Sequence, residues 1–143
     1  MTFQLTARQD SITDEAALIA VQAAVAKGRA LGCAMVATVV DAGGNLVACV
    51  RPTGAFVASV GIARDKAWTA ATFGLSTDDL HNAVAEPPHL HEGIASRDGV
   101  VLFGGGFPLR VDGQVIGGIG CSGGSEDQDR ACAQAGMAAI GLG

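Results

Sequence analysis

The strongest constraint on the fold is a pair of apolar runs separated by five turn-forming residues: Cys33 to Val40, then Asp41-Ala42-Gly43-Gly44-Asn45, then Leu46 to Val50. Asp, Gly and Asn tolerate the backbone of a tight reversal, so the segment reads as a β-hairpin. A hairpin alone is marginal in water, and its flanks must supply the cover. On the N-terminal side Ser11 or Thr13 offers a helix cap, Asp14 and Glu15 suit the first turn, and Leu18, Val21, Val25 and Leu31 lie near helical spacing up to a stop at Gly32. On the C-terminal side Phe56 to Phe73 returns to helical periods and ends at Gly74, and Ser76 with Asp79 caps a short third helix.

Between Glu86 and Asp98 the periodicity fails, and Pro87-Pro88 argues for an irregular insert holding His89 and His91, with His81 beside it. Three short strands are then expected: Val100–Phe103, Phe107–Val111 and Gln114–Cys121, broken by Gly104-Gly105-Gly106 and by the Asp112-Gly113 turn. Ser125 with Gln128 forms a capping box for a last helix rich in small residues. The order predicts an α+β fold with a five-stranded, mostly antiparallel sheet flanked by helices, one domain over residues 1–143. The regular alternation of strand and helix that a doubly wound parallel sheet needs is absent.

Composition narrows the partners. A formal charge of −5 supplies no cationic field for a phosphate backbone, so nucleic acid is not expected. With 49% hydrophobic and only 16% charged residues, part of the surface is expected to be covered by further copies of the chain, as a homo-oligomer. The longest apolar stretch, Ala16 to Ala26, falls short of the roughly 20 residues a bilayer requires, so no membrane span is expected. The first ten residues lack a signal-peptide pattern, which makes the cytoplasm the expected compartment. Cys33, Cys49, Cys121 and Cys132 show no CxxC spacing and read as reduced, structural thiols.

Four groups of residues could carry chemistry. Arg64, Asp65 and Lys66 stand together in an otherwise apolar helix; Arg64 or Lys66 could clamp a carboxylate or propionate or hold an enolate, and the plainer reading is an ion pair with Asp65 on a solvated face. His89 and His91, two apart, would face one side of an extended segment and could share a metal or a haem edge, with His81 as a third ligand. The plainer reading there is a surface loop; with Glu86 and Glu92 nearby, an acid–base pair is the alternative. Gly104-Gly105-Gly106 lacks the strand-to-helix setting of a dinucleotide fingerprint. Gly120 to Ser125, leading into a helix, could hold an anion, although Glu126, Asp127 and Asp129 in that first turn favour simple capping.

Five blocks in order, Val39–Val47, Ile62–Ala70, Phe103–Leu109, Asp112–Gly120 and Ser122–Asp129, resemble the GlcG/HbpS-like family over nearly the whole chain. The same blocks are similar to the C-terminal domain of PduO-type corrinoid adenosyltransferases. This resemblance implies a small five-stranded antiparallel sheet packed by helices, usually in homo-oligomers, in a family that includes haem-binding and haem-degrading proteins. It fixes no axial ligand, and the sequence departs from the family most in Ala85 to Gly93.

Two functions are therefore expected. In the first, the chain binds haem or another small molecule, with His89 or His91 on the metal, Arg64 and Lys66 on the propionates, and the loop Gly104, Gly105, Gly106 beside them. In the second, a cofactor-independent isomerase, tautomerase, hydratase or lyase binds a small carboxylate at Arg64, Lys66 and the glycine-loop N–H groups, while His89, His91 or Glu92 moves the proton.

Overall fold

The computed structural model describes residues Thr2–Gly143. Its elements run α1 (Asp14–Ala30), β1 (Val36–Asp41), β2 (Leu46–Val50), α2 (Ala58–Phe73), α3 (Thr77–Ala83), α4 (Pro88–Ala95), β3 (Gly106–Val111), β4 (Gln114–Ser122) and α5 (Glu126–Ala139). The strands form one antiparallel sheet in the order β2-β1-β4-β3. The fold is α+β, as expected, but the sheet has four strands and not five.

The missing strand is Val100–Phe103. Its composition suits a strand, yet its backbone is claimed by a helix side chain: Thr69 Oγ1 donates to Gly99 O (2.9 Å) and accepts from Val101 N (3.1 Å). The insert before it also differs from expectation, because Pro88 opens α4 from the first helical turn, where a missing N–H leaves no bond unmade. His89, His91 and Glu92 therefore stand on a helix and not in an extended loop.

Local signals act where the sequence places them. Thr13 Oγ1 accepts from Ala16 N to cap α1, while Ser11 Oγ accepts from Ala42 N and ties the entry of α1 to the β1–β2 turn. Ser76 caps α3, Ser125 and Gln128 exchange both bonds of a capping box on α5, and α2 stops at Gly74 with φ 70°. In the first hairpin Asp41 Oδ1 accepts from Gly43 N (2.9 Å) and Asn45 N (2.9 Å).

Three layers result. Ala37 and Val39 of β1, with Ile119 and Cys121 of β4, pack against Val21 and Val25 of α1 and Cys132 and Ala133 of α5. On the other face Val36 meets Ala63, and Val40 meets Ala67 and Ala71 of α2. Burial on both faces is why β1 reads as a continuous apolar run without alternation. Helix α2 lies unusually close to β4, since a Cβ at Gly118 or Gly120 would collide with the carbonyl oxygens of Ala67 and Ala63 respectively. Among the described residues no helix is long and apolar enough to cross a membrane.

Candidate functional site

The phase of α2 decides what its charges can do. Ala63, Lys66, Ala67 and Ala70 are buried, whereas Arg64 is exposed and Asp65 half-buried. Lys66 is 0% exposed; its Nζ donates to Asp129 Oδ2 (2.8 Å) and to Cys121 O (2.8 Å) and stands 5.0 Å from the centre of the Phe103 ring. Asp129 completes the arrangement by accepting from Gly124 N through Oδ1 (3.0 Å). The ion pair expected within α2 thus joins α2 to α5 instead: two of the three Lys66 donors are taken within the chain and the Phe103 ring stands over the ammonium, so Lys66 is not presented to a propionate or an enolate.

The glycine loop is shaped by that pair. A Cβ at Gly105, whose φ is 120°, would stand 2.8 Å from Lys66 Nζ and 2.8 Å from Cys121 O, so a side chain there would displace the ammonium. Gly104 N donates to Glu126 Oε1 (2.8 Å) and Gly106 N to Thr77 Oγ1 (3.1 Å). Two of the N–H groups expected to hold a carboxylate are therefore already bonded within the chain. Burial pushes the Cys121 thiol well above its usual range, with the charges of Cys132 and Asp129 adding to the effect.

A cavity of about 310 Å³ is lined by His81, His91, Ala95 and the segment Val100–Phe103, and the two imidazoles are its only titratable side chains. The rings of His81 and His91 meet edge to face with centroids 5.5 Å apart. Nδ1 of His91 is buried and has no hydrogen-bond partner, so the accessible edge of the ring is the one carrying Nε2. His89 and Glu92 are exposed on α4. Being two apart on a helix, His89 and His91 diverge by about 200°, so the chain pairs His91 with His81 of α3. Among the described residues no three His, Cys, Asp or Glu side chains gather as a metal-binding group.

Beside this cavity α5 is locked to α3. Arg130 holds Asp78 through two parallel bonds, Nε to Oδ2 (2.7 Å) and Nη2 to Oδ1 (2.8 Å), and reaches Asp127 through Nη1 (2.9 Å). The Arg130 bond holds the Asp78 carboxyl below its usual value against the opposing effect of burial, and the nearby charges of His81 and Lys66 act in the same direction. The guanidinium is in turn raised, chiefly by its bond to Asp78.

Arg64 lies elsewhere, in a separate cavity of about 540 Å³ that it shares with Asp65 and Trp68. The structure accordingly does not bring Arg64, the glycine loop and the histidines of α4 into one cavity of a single protomer. Sequence reasoning missed Asp129, which it assigned to helix capping, and the wall formed by Val100–Phe103. The one available signal for the first was a lysine on the alanine-lined face of α2, a position that demands a buried counter-charge.

The residues suit haem in two respects: the His91 imidazole could ligate iron, and Val100, Val101, Leu102 and Phe103 form an apolar wall for a macrocycle. The comparisons agree in kind. The family described as "Haem degrading protein HbpS-like" matches residues 12–138. Corrinoid adenosyltransferase PduO of Salmonella typhimurium (strain LT2) is 40% identical over 124 residues, which cover 85% of this chain but only 37% of that longer protein. The crystal structure of Klebsiella pneumoniae protein ORFY superposes with a TM-score of 0.91 at 32% identity, covering 98% of this chain and 97% of that one. The crystal structure of a PduOC:Heme complex superposes with a TM-score of 0.85 at 36% identity, covering 93% and 97%. With nearly all its length matched in sequence and fold, the chain belongs to the HbpS-like family.

Proposed function

We propose that this protein binds haem in the cavity between α3, α4 and the Val100–Phe103 segment, with His91 as the iron ligand and His81 as its neighbour. The observation that carries the reading is the His91 ring, which lines a largely apolar cavity and touches a second imidazole edge to face. The haem complex of the PduOC relative supports the ligand class. Bound haem supplies the redox chemistry; the chain's own part is to ligate the metal, shield the macrocycle with Val101 and Phe103, and set the local charge through Asp78 and Arg130. Arg64 and Lys66 take no part in this version of the site. His89 is left as a surface residue and serves as the internal control.

The test is a haemin titration followed at the Soret band, in the wild type and in His91→Ala, His81→Ala and His89→Ala, beside a protein that does not bind haem. A saturable shift, weakened about tenfold or more in His91→Ala and unchanged in His89→Ala, is expected for loss of a direct ligand. Equal titrations in the wild type and both cavity variants, or no shift beyond the control, overturn the proposal.

The same reading includes assembly into a homo-oligomer, which the exposure of Phe3 (71%), Phe56 (70%) and Val57 (75%) supports. Sedimentation equilibrium measures it directly; a monomer at every concentration overturns it.

A further inference from the structure

The larger cavity, around Arg64, is built on a different part of the molecule and owes nothing to the histidine site. Trp68 lies one helical turn beyond both Arg64 and Asp65 on α2, four and three residues on, so the two charged side chains flank the indole, and the opposite walls are the turn at Gly44 and the loop Asp98–Gly99. Each wall is fixed. The β1–β2 turn is held by the bonds from Gly43, Asn45 N and Asn45 Nδ2 to Asp41, and the Asp98–Gly99 loop is pinned to α2 through Thr69, which is fully buried. Both glycines lie against the indole: a Cβ at Gly44 would stand 2.7 Å from Trp68 Cδ1, and one at Gly99 would stand 3.5 Å from Cε3. The same point at Gly99 is 3.9 Å from Asp65 Oδ1, which places that carboxylate beside the ring.

Charge chooses the ligand. One guanidinium and two carboxylates, Asp65 and Asp98, line the cavity, and among the described residues none of the three makes an ion pair. A simple anion would meet Arg64 but also two negative groups, and a simple cation would meet the reverse arrangement at Arg64. A zwitterion satisfies both signs, with its carboxylate on the Arg64 fork and its ammonium between the aspartates and the negative face of an indole. We infer that the Arg64–Trp68 cavity is a binding site for a small amino acid, a molecule carrying one ammonium and one carboxylate.

The chain provides its own probe, since Trp68 is its only tryptophan and it has no tyrosine. Intrinsic fluorescence of the full chain is titrated with glycine, β-alanine, 4-aminobutanoate and 6-aminohexanoate, which separate the two charges by increasing lengths. Butanoate and butylamine serve as single-charge controls, and gluconate as a polyhydroxylated acid. At least one amino acid is expected to give a saturable change with a dissociation constant of about 1 mM or tighter. Arg64→Gln and Asp65→Asn, each checked for unchanged circular dichroism, should weaken it about tenfold, and Asp98→Asn provides a third variant should either fail to fold. His91→Ala should leave it unchanged, which separates this site from the proposed haem cavity. No saturable change with any amino acid, equal binding of butanoate, butylamine or gluconate, or full affinity in the charge variants overturns the inference.

Discussion

Lys66 of α2 and Asp129 of α5 meet at 2.8 Å, the lysine side chain wholly buried and the aspartate side chain 7% exposed. The pair is completed by the Cys121 carbonyl and the Gly124 N–H, so every charge-bearing atom has a partner drawn from a different stretch of chain. Removing one member leaves the other buried without a counter-charge. Lys66→Met or Asp129→Leu should therefore cost about 3–5 kcal/mol, whereas the double replacement Lys66→Met with Asp129→Leu should recover much of that loss. Urea unfolding of the three variants measures it, and additive losses in the double variant would show that the two residues act independently.

A methyl group is too large at Gly120. Because a Cβ there would strike the Ala63 carbonyl, Gly120→Ala should lever α2 away from β4 and lower stability by about 1–3 kcal/mol or more. Gly113→Ala is the contrast: space is open around that position, and its φ of 77° leaves only backbone strain to act. Thermal unfolding should rank Gly120→Ala as the more damaging of the two.

The four thiols should divide by burial. Cys49 is exposed and Cys33 half-buried, whereas burial holds the Cys121 thiol well above its usual value and pushes Cys132 up to about 11. A thiolate is the reacting species, so a disulfide reagent at neutral pH should modify Cys49 quickly, Cys33 more slowly, and Cys121 and Cys132 only on unfolding. Mass mapping of the labelled chain decides this; fast labelling of Cys121 would contradict the packed β4–α5 layer.

Acid should loosen the contact between α3 and α5. The carboxyl of Asp78 is held below its ordinary value of 3.8, first by the Arg130 bond, and a lowered folded value means stabilisation that is complete above 3.8 and lost as pH falls through the folded value. Asp41 behaves in the same way through its backbone bond from Asn45. The Asp78 side chain is 36% exposed, so solvent screening limits its share to about 1 kcal/mol or less. Unfolding between pH 5 and about pH 2 should show a shallower loss of stability in Asp78→Asn than in the wild type; parallel curves would remove Asp78 from the account.

What could be read from the sequence was what is decided within a few residues. Thr13, Ser76, Ser125 with Gln128, and Gly74 mark helix ends through bonds that span three or four positions, and all four act where expected. Val100–Phe103 was misleading because apolar composition does not reveal that a threonine 32 residues away takes the N–H of Val101. Pro87-Pro88 was misleading in the opposite sense, since a proline that breaks the middle of a helix is well suited to starting one. At the candidate site, the chemistry-bearing residue types were visible but their grouping was not. His91 finds His81 across two helices and Lys66 finds Asp129 across 63 residues, pairings that depend on tertiary packing and leave no local periodicity.

Phe103 has a double position, covering the Lys66 ammonium and lining the histidine cavity. A ligand that filled that cavity only in the native state would couple its occupancy to unfolding of the entire chain and so brace a sheet it does not touch. A molecule held there only in the native state, at a free concentration 100 times its dissociation constant, raises the free energy of unfolding by about 2.7 kcal/mol. The melting temperature of this small protein would then serve as a gauge of the free concentration of any such molecule.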